Sequence, residues 1–315
     1  MDVAQLKYLY NKVNSSFKTS FVYHVGGEAG FFSEYNNMIL GMLYCLDKQI
    51  SFSIYSKDAN FKYDKGWTDY FLPFCEEKGN IFHSLFNVRH LPKYKRWIYR
   101  VFYKCGQYCF ERMHPSVLTT IDLWNDIHYL DINKFYDFLS LGIKGDVRSI
   151  CQKLISMTWV YNDLTKRNVE EIKKSINLPR NYIGFHIRGG DKFMEASLSN
   201  VNAYIDKAES KSNLRYAFVL TDDYSVFEML VRNYPSWRFS TLCGENEHGY
   251  YHAKFINERS DIKRQRYYKL FASIDILAES DMFIGTFSSN PGMYLGMRMD
   301  SSKVFSVDIP EWKIW

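Results

Sequence analysis

The residues best suited to chemistry gather in one stretch, Tyr182-Ile183-Gly184-Phe185-His186-Ile187-Arg188-Gly189-Gly190-Asp191-Lys192. An apolar run ends on a histidine and an arginine and then breaks at two glycines into a charged loop. Arginine presents a fixed fork of donors that matches phosphate, and paired glycines let backbone approach a ligand closely. Successive apolar residues read as a strand buried in a parallel sheet, and such sheets bind ligands just beyond the carboxyl ends of their strands. Arg188 stands at that place, so the stretch points to a phosphate-bearing ligand; the competing reading is a surface arginine after an ordinary strand. A second polar turn, Thr221-Asp222-Asp223, follows another apolar run. Adjacent carboxylates after a strand more often face ribose hydroxyls or cap a helix than hold a cation, so no metal is expected.

These residues need a scaffold of alternating strands and helices. In the first half, a short polar helix over residues 1 to 17 leads into a strand at Ser20–Val25, then a glycine-rich turn from Gly26 to Glu34 and an apolar helix through Met38–Leu46. A helix opening after such a turn offers free amides to an anion, although the spacing matches neither common nucleotide fingerprint and a tight connection without ligand is an equal reading. Ile50–Tyr55 alternates as a strand, and Asp64–Pro73 is an aromatic loop or short helix. Residues 118 to 179 read as mainly helical, and Pro179 stops the last of these helices. The second half then alternates: strands at 182–187, Tyr216–Leu220, Trp237–Ser240 and Met282–Thr286, with helices near Val201–Ser210, Val226–Asn233 and Tyr267–Ser280. Such alternation implies a parallel sheet in a Rossmann-like domain. The expected division is an N-terminal α/β domain over 1–179, carrying a helical insertion over about 85–175, and a C-terminal domain over 180–315.

Composition narrows the class. At 315 residues and 46% hydrophobic content the chain is globular and long enough for two domains. A net charge of +5, spread apart from one cluster, does not make nucleic acid the expected partner. The cluster is the segment 89–112, where Lys93, Lys95, Arg96, Arg100 and Lys104 interleave with Trp97, Ile98, Val101, Phe102 and Tyr103. A basic amphipathic helix of this kind can lie on an anionic membrane, or it can bury its aromatic face in a core and leave its basic face in water. Six cysteines without a CxxC pair read as reduced thiols. The N-terminus lacks a charged segment leading into an apolar one, and no run of about 18 apolar residues follows; a cytoplasmic chain, soluble or peripheral to a membrane, is expected.

Three separated stretches match one family in order: His186-Ile187-Arg188 with Asp191-Lys192, then Leu220-Thr221-Asp222-Asp223, then Asp281-Met282-Phe283-Ile284-Gly285-Thr286-Phe287-Ser288-Ser289. Together they resemble the GDP-fucose-dependent fucosyltransferases of the α-1,6 type, core and Nod-factor enzymes alike, with a looser likeness to the α-1,2 and protein O-fucosyltransferases. Gly27 to Asn37 and Asn60 to Pro73 look like the family's first glycine loop and aromatic segment, while 85–175 has no counterpart. The resemblance implies a GT-B-like fold of two facing Rossmann-like domains with parallel sheets. It also implies inverting transfer of fucose from GDP-β-L-fucose to a glycan acceptor, without metal or other cofactor.

Carried over by position, Arg188 would hold the pyrophosphate and His186 the nucleotide, and Ser289, beside Ser288, would bind the β-phosphate with the Gly30 amide. Asp222 would face the ribose. Glu195 would be the general base, with Asp191 as its alternative and Lys192 orienting either. Two departures stand out. The family's second arginine is Gly189 here, for which Arg259, Arg264 or Arg266 could compensate. Its guanine-binding aspartate falls at Ser273, with Asp275 two residues on as the candidate. These departures keep open another GDP-sugar donor, or a non-catalytic nucleotide- or glycan-binding protein.

Overall fold

The computed structural model describes residues 2–27, 29–89, 97–188, 199–249 and 258–312. Glu195, Asp191, Lys192, Gly189, Lys93, Lys95 and Arg96 therefore lie outside the described residues. The chain divides into two compact units, Met1–Asn162 and Asp163–Trp315.

The first unit is built on β1 (Thr19–His24), the centre of a three-stranded parallel sheet with β2 (Ile50–Tyr55) and β3 (Val117–Thr119) on either side. Helix α1 (Val3–Asn14) starts at an Asp2 cap that accepts from the Gln5 amide. At its other end the Asn14 amide closes the edge of β2, donating to the Phe52 carbonyl at 2.9 Å and accepting from the Phe52 amide at 2.6 Å. This side chain satisfies backbone groups that a neighbouring strand would otherwise pair. Helix α2 (Phe31–Lys48) is buried along most of its length. Its first turn joins an aromatic cluster in which Phe31, Tyr35, Phe71 and Trp159 contact one another ring to ring.

The region expected to be a helical insertion is not all helix. It contains α3 (Phe82–Phe86), α4 (Trp97–Met113), α5 (Thr120–His128), α6 (Val147–Thr158) and the third strand of the sheet. It also holds an antiparallel hairpin of β4 (Phe135–Phe138) and β5 (Ile143–Asp146). Strands of three or four residues carry too little period to declare themselves; β3 exists because Ser20, Phe21 and Val22 offer it an edge.

The second unit is a five-stranded, wholly parallel sheet in the order β10-β9-β6-β7-β8. Its strands are β6 (Ile183–His186), β7 (Tyr216–Leu220), β8 (Arg238–Thr241), β9 (Met282–Gly285) and β10 (Val304–Ser306). The last of these was not expected from sequence. Ile183 and Phe185 point into a core shared with α8 (Ser199–Glu209) and α9 (Tyr224–Asn233). The other face of the sheet carries α10 (Ser260–Glu279) and α7 (Asp163–Ser175), which pack together and are tied by Lys173 to Glu279 at 2.6 Å. That packing moves the division between units to 162/163, ahead of the expected 179: α7 belongs to the second core although its proline-stopped end looked like a boundary. Helix α11 (Asn290–Arg298) follows β9. Strand order reverses between β6 and β9, and the crevice beyond the carboxyl ends at such a reversal is where open α/β sheets take ligands.

Candidate functional site

The carboxyl end of β6 carries the centre of the candidate site. His186 is buried, and its backbone carbonyl accepts from the Tyr204 hydroxyl at 3.0 Å, which fixes the strand end against α8. Burial pushes the imidazole down to about 4; the nearby Asp222 carboxylate pulls it up and the Arg188 guanidinium pushes it further down. His186 is consequently neutral at physiological pH, a hydrogen-bonding ring without a charge. Two residues on, Arg188 is exposed and makes no ion pair with any described residue. It stands two residues beyond the central strand of the sheet.

The loop after β9 approaches His186 from the other side of the reversal. Ser289 caps α11, its hydroxyl donating to the Thr286 carbonyl at 2.8 Å and accepting from the Gly292 amide at 3.2 Å, with His186 Nδ1 at 3.4 Å. Gly292 is required there, because a Cβ would collide with the Thr286 carbonyl oxygen. Ser289 is thus a buried cap first, and its hydroxyl is already committed on both sides. The Ser288 amide, with that of Phe287, donates to the Asp308 carboxylate at 3.2 and 2.9 Å. Burial raises the Asp308 carboxyl, but these donors and the Ser306 hydroxyl outweigh it and hold the group below its ordinary range. Asp308 is a member of this loop system that sequence reasoning missed: it lies 20 residues from Ser288 and belongs to no motif.

Asp222 lies two residues beyond β7, half-buried, its carbonyl accepting from the Gly249 amide at 2.7 Å. Asp223 caps α9 through the Ser225 amide at 3.0 Å, the capping role foreseen for one of this pair. Asp275 sits on α10, buried, with Arg298 of α11 at 2.6 Å from its carboxylate. A nucleobase contact at Asp275 would have to share that carboxylate with Arg298. Ser273 is buried and bonds back to the Lys269 carbonyl at 2.9 Å. Of the arginines named as substitutes for Gly189, Arg259 pairs with Asp261 at 2.9 Å and Arg266 with Glu258 at 2.8 Å. The β6, β7 and β9 ends therefore bring His186, Arg188, Asp222 and Ser289 together, while Asp275 is engaged inside the α10–α11 contact. A cavity of about 490 Å³ at the β8 edge, lined by residues including Tyr224, Thr241 and Glu245, contains none of them.

Gly30 lies in the first unit as the residue capping α2, with φ −63° and open space where a Cβ would be, so nothing there demands glycine. Beneath it is a closed polar cluster. Glu34, fully buried, accepts from the Ala29 amide at 3.0 Å and is ion-paired with Arg89, whose guanidinium also stacks 4.5 Å over Trp124. Alongside, His24 Nδ1 meets the Asn87 carbonyl at 2.6 Å and Nε2 meets Asp58 at 2.7 Å. Both partners are acceptors, so both ring nitrogens donate and His24 is an imidazolium. Burial opposes this charge, but the hydrogen bond and charge of Asp58 raise the pKa above its ordinary value. These partners stand 34 and 63 residues away in sequence, and no spacing could have found them.

No protein-family model and no curated protein matches the chain. Solved structures do. NodZ α-1,6-fucosyltransferase soaked with GDP-fucose is 12% identical with a TM-score of 0.55, over 90% of this chain and 93% of that one. Fucosyltransferase NodZ from Bradyrhizobium gives 12% and 0.52, over 88% and 92%. A variant of Arabidopsis thaliana FUT1 in complex with GDP gives 11% and 0.50, over 96% of this chain and 75% of that one. The mixed α/β fold with parallel sheets is shared with these proteins.

Proposed function

We propose that a chain with this fold and this site is a fucosyltransferase that moves fucose from GDP-β-L-fucose to a hydroxyl of a glycan acceptor, inverting the donor linkage to give an α-linked product without a metal ion. The observation that supports this reading most is Arg188, an exposed guanidinium with no described ion-pair partner at the carboxyl end of the central strand. Departure of GDP builds negative charge on the β-phosphate, and a fixed fork of donors stabilises that charge where other transferases use a cation. His186, neutral through burial, offers the nucleotide a hydrogen bond without adding charge. Asp222, at the neighbouring strand end, suits ribose hydroxyls. With the Ser289 hydroxyl and the Phe287 and Ser288 amides engaged internally, phosphate binding rests chiefly on Arg188.

Glu195 is the proposed general base, taking the proton of the acceptor hydroxyl as its oxygen attacks the sugar, with Asp191 as the alternative and Lys192 keeping either carboxylate ionised. A second reading, the same scaffold with a different GDP-sugar, is favoured by Gly189, by Ser273 at the base-reading position and by the engagement of Asp275 with Arg298.

The deciding experiment offers a panel of nucleotide sugars with an array of glycan acceptors and follows both hydrolysis and transfer. Turnover of GDP-fucose alone, undiminished in excess EDTA, is the expected result. Turnover of another GDP-sugar would select the second reading, and nucleotide binding without turnover of any donor would make the chain a binding protein.

A further inference from the structure

The helix α4 has two unlike faces. Its inner face is set by Tyr103 and Phe110, both buried, with Phe110 stacked on Phe82 of α3 at 3.7 Å between ring centroids. Its outer face is apolar and largely exposed, with Phe102 touching Phe86 of α3 at 5.4 Å between ring centroids. Phe102, Tyr108 and Met113 are 62, 56 and 68% exposed, Val101 is also exposed, and the Cys105 and Cys109 thiols lie in water among them. On α3, Ile81 and Leu85 are exposed as well. Large apolar side chains gathered on one helix face mark a contact surface, since each loses roughly 1.5–3 kcal/mol by staying in water.

The charges say what kind of partner covers this face. Segment 90–112 carries six basic residues against the single acidic Glu111, a balance of +5 that equals the net charge of the whole chain. Among the described residues Arg100 and Lys104, one turn apart, flank the apolar face, and Arg112 lies 5.0 Å over the Tyr108 ring within it. A second copy of the same face would bring like charges together, whereas an anionic lipid surface satisfies both features: headgroups meet the basic residues and acyl chains take the apolar ones.

We propose that the outer face of α4 seats the protein on an anionic membrane surface, with Phe102 and Met113 inserted and Arg100, Lys104 and Arg112 at the headgroups. Among the described residues no helix is long and apolar enough to cross a membrane. An acceptor displayed at that surface would meet the enzyme in two dimensions, although the proposal does not depend on the transfer reading.

The test is co-sedimentation of the full chain with phosphatidylcholine vesicles and with vesicles that also contain phosphatidylglycerol, at low and high salt and without any nucleotide. Wild type is expected to bind only the anionic vesicles and to be released by salt. The pair Phe102→Asp and Met113→Asp should lower partitioning by roughly 10²-fold, about tenfold for each side chain. The triple Arg100→Gln, Lys104→Gln, Arg112→Gln should do the same, at about 1 kcal/mol for each charge. All these positions are exposed, so an unchanged circular dichroism spectrum is expected. Equal binding to both vesicle types, no binding, or full binding by the variants would overturn the proposal. So would a concentration-dependent dimer that Phe102→Asp abolishes, since a second copy would then be the cover.

Discussion

The two units open their sheets in the same way and finish them differently. In the first, the central strand ends Tyr23-His24-Val25-Gly26-Gly27; in the second, Phe185-His186-Ile187-Arg188-Gly189-Gly190. Both are apolar strands at the middle of a parallel sheet, each ending on a buried histidine ahead of two glycines. Two residues after the first histidine stands Gly26, at φ +80°, where a Cβ would lie 2.8 Å from both Ala59 and Phe61. The equivalent place after the second histidine is Arg188. The first strand end is closed: His24 is an imidazolium held by Asp58 and the Asn87 carbonyl, and the adjacent Glu34 carboxylate is held by Arg89. The second carries a neutral histidine and a guanidinium that has no counter-ion among the described residues. One local pattern thus forms an internal clamp in one unit and, on the proposed reading, a ligand site in the other, and the difference lies in what the rest of the fold brings to it.

If the first end is a clamp, breaking it should unfold the protein. Arg89→Met leaves Glu34 buried without its counter-ion and should cost about 3–5 kcal/mol in urea unfolding monitored by circular dichroism. A loss under 1 kcal/mol would mean that water reaches Glu34 and the cluster is not closed.

If the second end is a site, breaking it should spare stability and remove function. Arg188→Lys should lower kcat/KM on the order of 10²-fold or more, because a point charge does not reproduce a two-pronged donor, with an unchanged melting temperature. Near wild-type turnover would remove Arg188 from the pyrophosphate.

The histidines sharpen the contrast at a smaller scale. His24→Gln removes one of two donors from the Asp58 and Asn87 acceptors and should cost about 1–3 kcal/mol in the same unfolding experiment. His186→Gln should leave stability closer to wild type and weaken GDP binding measured by calorimetry. Equal stability losses in the two variants would erase the distinction between clamp and site.

The response to pH separates the same two histidines, and the two signs are opposite. The folded pKa of His24 is raised, so its contribution to stability is complete below the unfolded value of about 6.5 and is lost as pH rises through the folded value. His186, pushed down to about 4, must stay neutral; its folded state loses stability as pH falls from about 6.5 through 4. Imidazole resonances followed by NMR should show one histidine titrating above 6.5 and His186 near 4. His83, buried and likewise pushed down to about 4, joins the second group. A His24 resonance titrating below 6.5 would contradict the imidazolium assignment.

Sequence by itself determined the second unit well. Strands β6, β7 and β9 are continuous apolar runs, and the polar residues that follow each one in the sequence mark where the strand stops. That His186, Arg188, Asp222 and Ser289 stand at neighbouring strand ends was legible for that reason: each ends such a run or lies within four residues after it, and the parallel order of the strands brings their ends together. Tertiary structure alone decided the rest. Strand β3, at three residues, takes its conformation from the edge β1 offers it, and α7 is drawn into the second unit by its packing on α10. Asp275 is engaged by Arg298, 23 residues away, and Asp308 reaches back to the Ser288 amide. The imidazolium of His24 depends on a carboxylate and a carbonyl far along the chain. Local pattern reports the residues that a strand or helix lines up; it does not report which distant partner will satisfy a buried charge, because that is settled only when the chain closes on itself.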